Sequence, residues 1–544
     1  MRHHSSNRES TMTLRAVAVS APDWVAGAKD DRALNSRDAA SLYNACRVAA
    51  AEAAAGRGAW GASNWAAADP RAARAAARAS TLLMYSMDDM PAFRALIERQ
   101  RPNLLLIGAM SLCLPGAVAC AREAREILGD RVAIVLGGRH ASETVWLPDR
   151  SDRRAATLGR HAGAPLELIH AGRLPAVFDA VAMGDGEYLI AALGRAVEAA
   201  VRRSLHPAAL FHEIDPATPG DWILGLDDRG RPGYLVSRGV AMNQMALPSP
   251  ARTFGVSASF GVFGGRMTAH VFSDIGRGCV YDCNFCSERV SATGGVRDLA
   301  NSADRLHGQL AAACRTIAED WPGRRASAFC EDSVLLGGAT RLIDRFCDLM
   351  DRQPLDIRFG GQLTIDQILT RPAEVARLAR AGLSYVFIGV ETLSPEEIGG
   401  MSKDVGRKRA SWTDRMHRAF DVLGEAGIDC GCAVLFGLGE RHESRLALLD
   451  TLDRFRLSHG APDPISLNWA VQHPLCGEDG GAGYDYVDWG TPEGPYLDLF
   501  HNFGEASLRY PLPQVGAPRL AEVAEVVAAA DAVRGRPLGG RLAS

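Results

Sequence analysis

Gly276-Arg277-Gly278-Cys279-Val280-Tyr281-Asp282-Cys283-Asn284-Phe285-Cys286-Ser287-Glu288 sets three cysteines at C-x3-C-x2-C spacing, and this stretch decides how the rest of the chain is read. A chain with 12 cysteines in 544 residues produces that spacing by chance at a rate of only about 0.006. A structural zinc site asks for a fourth Cys or His at defined spacing. None follows nearby, and the next cysteine, Cys314, lies far along a predicted helix. Three thiolates on a four-iron cluster leave one iron without a protein ligand, open to a substrate or cofactor. A zinc knuckle or a redox-sensing triad is the alternative that the spacing leaves.

The spacing, with aromatic Phe285 directly before the third cysteine, resembles the radical S-adenosylmethionine (radical SAM) superfamily. The resemblance implies a [4Fe-4S] cluster on Cys279, Cys283 and Cys286. Its open iron would chelate the amino and carboxylate groups of SAM, and an electron from the cluster would cleave SAM to a 5′-deoxyadenosyl radical. It further implies a (β/α)6 partial barrel and an external one-electron reductant of flavodoxin or ferredoxin type.

Downstream of the cysteines, short apolar runs alternate with Ala- and Leu-rich amphipathic segments. Runs at 268–272, 326–330, 356–360, 385–390, 430–436 and 465–469 predict parallel strands in βα repeats, with chemistry at their carboxyl ends. Cys330-Glu331-Asp332-Ser333 stands where the family carries a Gly-Gly-Glu-like stretch that meets the SAM amino group. The glycines are missing here, yet Glu331 and Asp332 remain acceptors for an ammonium; rim carboxylates otherwise cap helices or pair with Arg. Gln362, after Phe359-Gly360-Gly361, is expected to contact the SAM carboxylate or the substrate, or to cap the next helix. Gly389-Val390-Glu391 lies closer to the family's Gly-x-Glu, which makes Glu391 the strongest SAM-binding expectation after the cysteines. Lys403 follows in a turn, and Gly437-Leu438-Gly439-Glu440 resembles the family's fifth strand end, beside adenine. Cys430 and Cys432 face one side of a strand and read as core fillers. The polar and aromatic run from Asn468 to Pro474 falls where substrate would enter, and the aromatic tail around Trp489, Tyr496 and Phe503 reads as a cover for the barrel mouth.

Upstream, Leu104-Leu105-Leu106-Ile107, a helix opened by Pro115, and Val132 to Leu136 closed by Gly137-Gly138 read as a βαβ unit. Further strands are expected at 15–20 and 178–183. Together they predict an open, doubly wound α/β domain whose ligand lies beyond the carboxyl strand ends. Those ends carry Ser111, Gly137-Gly138-Arg139-His140 and Gly184-Asp185-Gly186-Glu187. These turns resemble the Rossmann-like cobalamin-binding domain of class B radical SAM enzymes, which implies cobalamin contacts at Ser111, Gly137, Gly138, His140, Gly184, Gly186 and Glu187. The Asp-x-His-x-x-Gly motif that supplies a lower histidine ligand to cobalt is absent from residues 1–240. His140 is either a substitute ligand or a hydrogen-bonding residue.

The expected organisation is a Rossmann-like domain at 1–205, a connector at 206–268, the partial barrel at 269–477 and a C-terminal extension at 478–544. A formal charge of −4 gives little drive toward nucleic acid; the Arg-rich stretch from Pro70 to Arg78 reads as a solvated helix face. No apolar run reaches membrane-spanning length, and the polar start suggests a cytoplasmic protein. The resemblance implies an enzyme that C-methylates a small natural-product precursor. A cobalamin-assisted rearrangement, cyclisation or ring contraction is the enzymatic alternative, and a cobalamin- or cluster-based sensor the non-enzymatic one.

Overall fold

The computed structural model describes residues 14–22, 81–84, 87–161, 163–227, 230–243, 245, 249–256, 259–273, 278–283, 285–286, 288–289, 300–392, 411–470 and 518–538. Its first sheet is built from β1 (Ala16–Ser20), β2 (Thr81–Leu83), β3 (Leu104–Gly108), β4 (Ala133–Gly137), β7 (Ala180–Gly184), β8 (Trp222–Asp227) and β9 (Pro232–Val236), in the order β2-β1-β3-β4-β7-β8-β9. A two-stranded ribbon, β5 (Val145–Trp146) and β6 (Gly159–Arg160), lies between β4 and β7 in sequence. The unbroken Leu104-Leu105-Leu106-Ile107 run has its reason here, because a parallel strand covered on both faces needs apolar residues on both. Leu105 and Ile107 enter one core, and Leu104 and Leu106 the other. The first core takes helices α1 (Met90–Gln100) and α2 (Leu114–Leu128); the second takes α5 (Glu187–Arg202). Between them in sequence lie two short helices, α3 (Arg139–Thr144) and α4 (Pro165–His170).

The stretch 206–268, read as a connector, instead completes this sheet. β8 pairs antiparallel with β7, and β9 antiparallel with β8. Dense Gly, Pro and Asp turns around Trp222-Ile223-Leu224-Gly225-Leu226-Asp227 hide the strand from a compositional reading, whereas its tertiary context is plain: Trp222 is fully buried in the second core. Helix α6 (Pro250–Phe254) then leads to the second sheet.

That second sheet holds β10 (Met267–Val271), β11 (Ala326–Cys330), β12 (Ile357–Gln362), β13 (Leu383–Glu391), β14 (Asp429–Phe436) and β15 (Ile465–Trp469), all parallel and in sequential order. Each predicted strand is present to within a residue or two. Between the strands run α7 (Ser302–Asp320), α8 (Thr340–Arg352), α9 (Ile365–Thr370), α10 (Pro372–Arg380), α11 (Trp412–Glu425) and α12 (His442–His459). Alternation along β10 separates the two faces: Met267, Ala269 and Val271 join the core under the helices, while Thr268 and His270 point away from it. Helix α13 (Leu520–Gly535) packs on α12, where His442 Nε2 lies 3.0 Å from Glu525 and Arg456 reaches the Arg536 carbonyl at 3.3 Å. Pro70 to Arg78, Lys403, the run from Val471 to Pro474 and the aromatic tail at 488–503 lie outside the described residues.

Candidate cofactor site

The cysteine loop is closed on itself by backbone bonds. The Cys279 N–H donates to the Glu288 carbonyl at 2.6 Å, the Cys286 N–H to the Cys283 carbonyl at 3.1 Å, and the Arg289 N–H to the Cys286 carbonyl at 3.3 Å. Cys283 is buried, while Cys279 and Cys286 are half-buried. The loop grows from the carboxyl end of β10 and is tied to the ends of the next two strands. After β11, the buried Asp332 carboxylate accepts the Ser273 N–H at 3.0 Å and also the Ser273 hydroxyl. After β12, Tyr281 Oη lies 3.3 Å from Thr364 Oγ1.

The four residues expected to hold SAM all lie at the ends of β11, β12 and β13. Glu331 Oε1 sits 2.5 Å from Nδ1 of the buried His270 on β10. Asp332 also accepts the Cys330 thiol at 3.0 Å, and burial pushes both the Cys330 thiol and the Asp332 carboxyl above their ordinary pKa values. Gln362 Nε2 donates to the Asp332 carbonyl at 3.5 Å. Glu391 is mostly buried at the end of β13, beside a break in register with β14, and has φ +60°. A non-glycine residue held in the left-handed region carries a cost of order 1–3 kcal/mol, and such strain gathers at functional positions.

The Gly437-Leu438-Gly439-Glu440 turn closes around its own carboxylate. Glu440, nearly fully buried, accepts the Gly437 and Leu438 N–H groups at 2.8 Å each and pairs with Arg445 at 2.5 Å. Cys430 and Cys432 are both buried in the barrel core, as their alternation predicted.

In the first domain the expected cobalamin-contacting residues lie at the carboxyl ends of β3, β4 and β7. Buried His140 has both ring nitrogens engaged, with Nδ1 2.9 Å from Ser111 Oγ and Nε2 3.1 Å from the Gly163 carbonyl. The carbonyl can only accept, so Nε2 carries the proton and Nδ1 accepts from Ser111. Of the two roles that the sequence left open for His140, the hydrogen-bonding one fits, because no lone pair remains for cobalt. The glycines also have local reasons. A Cβ on Gly138 (φ +93°) would stand 2.5 Å from the Ala109 nitrogen, and one on Gly184 (φ +78°) 2.2 Å from the Asp221 carbonyl. Gly186 precedes the buried Glu187 in the first turn of α5.

The two domains meet across this turn. Arg139, next to His140, forms an ion pair with Glu288 of the cysteine loop, and lies 2.9 Å from Glu143. The carboxyl end of the first sheet therefore touches the loop that carries the three thiols.

Residues 273–452 match the model of the Radical SAM superfamily. They form a radical SAM domain. Among curated proteins, the chain is 31% identical over 204 residues to biotin synthase of Cereibacter sphaeroides, covering 37% of this chain and 55% of that protein. It is 29% identical over 211 residues to biotin synthase 1 of Paracoccus denitrificans, covering 37% and 56%. The chain thus spans about half the length of the curated relatives it matches. Among solved structures, the radical SAM methyltransferase TsrM from Kitasatospora setae, with tryptophan substrate and a SAM analogue bound, aligns at 14% identity and a TM-score of 0.48, covering 95% of this chain and 89% of that one. The same protein with cobalamin and a [4Fe-4S] cluster aligns at 13% and 0.47, covering 85% and 76%.

The Radical SAM family implies a [4Fe-4S] cluster and SAM, and Cys279, Cys283 and Cys286 all lie within the matched residues. Sequence reasoning missed two features, one in each domain. His270 gave no motif signal and was hidden inside a predicted strand; only its even-numbered position beside Thr268 hinted that it faces away from the helix-covered core. Arg139 was quoted as part of a glycine turn with no role, since its partner lies 149 residues on in the chain.

Proposed function

We propose that the protein is a cobalamin-dependent radical SAM enzyme that C-methylates an unactivated carbon of a small natural-product precursor. The observation that carries this reading is the Arg139–Glu288 contact, which joins the ligand side of a doubly wound sheet to the cysteine loop. When bound, the cluster, SAM and cobalamin would supply a carbon-centred radical and a transferable methyl group.

The residues fit such a load in stated ways. Cys279, Cys283 and Cys286 would hold the cluster, and Asp332 would fix the loop's root through Ser273. The strained Glu391 would meet SAM, with Gln362 beside it and Glu331 held by His270. Cobalamin would lie on the turns at Ser111, Gly137-Gly138 and Gly184 to Glu187 without a protein histidine on cobalt, since His140 has spent both nitrogens. The protein's own task is to position the substrate between the two cofactors and to keep water away. A reducing, cytoplasmic setting and a flavodoxin- or ferredoxin-type electron donor complete the proposal; none of the described residues belongs to a helix long and apolar enough to cross a membrane.

Anaerobic reconstitution with SAM, cobalamin, reductant and candidate substrates tests it. Methylation yields S-adenosylhomocysteine together with 5′-deoxyadenosine. A rearrangement yields no S-adenosylhomocysteine, and a sensor yields neither product.

A further inference from the structure

On the outer helix layer of the barrel, three ligand-type side chains converge. His417 and Asp421 lie one turn apart on α11, and His459 ends α12. Their ligand atoms all fall within 4.8 Å of one another. Asp421 Oδ2 is 3.1 Å from His417 Nδ1, and its Oδ1 is 3.3 Å from His459 Nε2. A cation bonded to N and O at about 2.1 Å in tetrahedral geometry spaces its ligand atoms about 3.4 Å apart.

The hydrogen bonding around His459 points the same way. The Ser458 hydroxyl donates to the Arg454 carbonyl at 2.9 Å and lies 2.6 Å from His459 Nδ1. With its proton given to the carbonyl, Ser458 Oγ accepts from Nδ1–H, which leaves the lone pair of the neutral ring on Nε2, facing Asp421. A bare lone pair opposite a carboxylate oxygen is repulsive, so a proton or a metal ion belongs between them. The ring orientations are fixed by apolar packing: Phe455 meets His417 at 5.9 Å and His459 at 5.7 Å, centroid to centroid. A metal-ligating histidine whose second nitrogen is tied to a neighbouring acceptor is the arrangement that sets tautomer and ring direction in metal sites.

We propose that His417, Asp421 and His459 form a second metal site, remote from the cysteine loop in sequence, which takes a divalent transition-metal ion of the zinc type and leaves its remaining positions to water. Two imidazoles and one carboxylate suit zinc, nickel or cobalt better than magnesium or calcium, and the absence of thiolate separates the site from the iron–sulfur chemistry of the loop. The bound ion cross-links α11 to α12 on either side of β14 in sequence.

The test uses the full chain with its cluster reconstituted, so that the thiols are occupied. Equilibrium dialysis against zinc chloride, followed by elemental analysis, reads zinc and iron together. Wild type is expected to take up an additional equivalent of zinc saturably. His459→Ala and Asp421→Asn are expected to lose it with iron content unchanged, and His417→Gln, at an exposed position, does the same without threatening the fold. Ser458→Ala should weaken zinc binding roughly 10-fold to 100-fold without abolishing it. His212→Ala, at an exposed histidine elsewhere, should change nothing. Zinc uptake that is unsaturable, or equally strong in all three ligand variants, overturns the proposal and leaves a protonated His–Asp–His surface cluster.

Discussion

Replacing His140 by glutamine isolates the electrostatic consequence of burying an imidazole at the domain junction. Burial pushes the His140 pKa down from 6.5 to about 3. A histidine whose pKa is lower in the folded than in the unfolded state contributes full stability above the unfolded value, and loses it as pH falls toward the folded one. At pH 5 the unfolded ring sits about 1.5 units below its ordinary pKa while the folded ring stays neutral, so wild type loses about 2 kcal/mol relative to pH 7.5, at roughly 1.4 kcal/mol per unit. Glutamine can still donate to the Gly163 carbonyl from the position of Nε2 and does not titrate. Hydrogen-exchange mass spectrometry on peptides covering β3 and β4, corrected for intrinsic exchange, measures the difference directly. The wild type should lose about 2 kcal/mol more protection than His140→Gln between pH 7.5 and pH 5. An identical loss in both proteins would mean that the ring is protonated or solvated in the fold, and would reopen it as a cobalt ligand.

Three further outcomes follow from the geometry. Asp332→Ala removes the acceptor of the Ser273 N–H and the Cys330 thiol, costs about 1–3 kcal/mol for each buried group left bare, and should lower iron retention after reconstitution; Asp332→Asn keeps an acceptor and should retain iron. If the asparagine variant keeps iron but fails to bind SAM by equilibrium dialysis, Asp332 serves the cofactor and not the loop. Arg139→Glu should lower product formation with cluster content unchanged, and pairing it with Glu288→Arg should restore turnover; because both side chains are about one-third exposed, the ion pair itself is worth only about 0.5–1 kcal/mol in stability, so a large change in melting temperature would contradict a positioning role. Gly184→Ala forces a methyl group onto the Asp221 carbonyl at a positive φ and should destabilise the first domain by at least about 1–3 kcal/mol in chemical denaturation; a neutral result would contradict a close backbone approach at the β7–β8 junction.

The barrel was legible because each βα repeat leaves a local mark. An apolar run such as Ala326–Cys330 ends in the polar Glu331-Asp332-Ser333, and the period changes to a helical one beyond it, at Thr340–Arg352. β8 escaped, and the 233–237 run that forms β9 read only as a short strand within a connector, because an antiparallel edge added after the last parallel strand needs no crossover helix to announce it. Among the candidate site residues, the cysteines were singled out by their spacing, which is a covalent-scale constraint. Glu331 and Asp332 were placed at a strand end, yet their partners, His270 on β10 and Ser273 just beyond it, lie about 60 residues earlier, and sequence periodicity carries no information about such pairs. The glycines at 138 and 184 were read for close approach, and the approach exists, though in the structure it is to the Ala109 and Asp221 backbone.

The most direct test of the account is electron paramagnetic resonance of the anaerobically reconstituted, dithionite-reduced full chain, recorded with and without SAM. A reduced [4Fe-4S] signal whose shape changes when SAM is added, and which disappears in Cys279→Ala, Cys283→Ala and Cys286→Ala alike, is the predicted result. A signal indifferent to SAM, or protein that retains zinc at the three thiols in place of iron, would contradict an open iron at this loop.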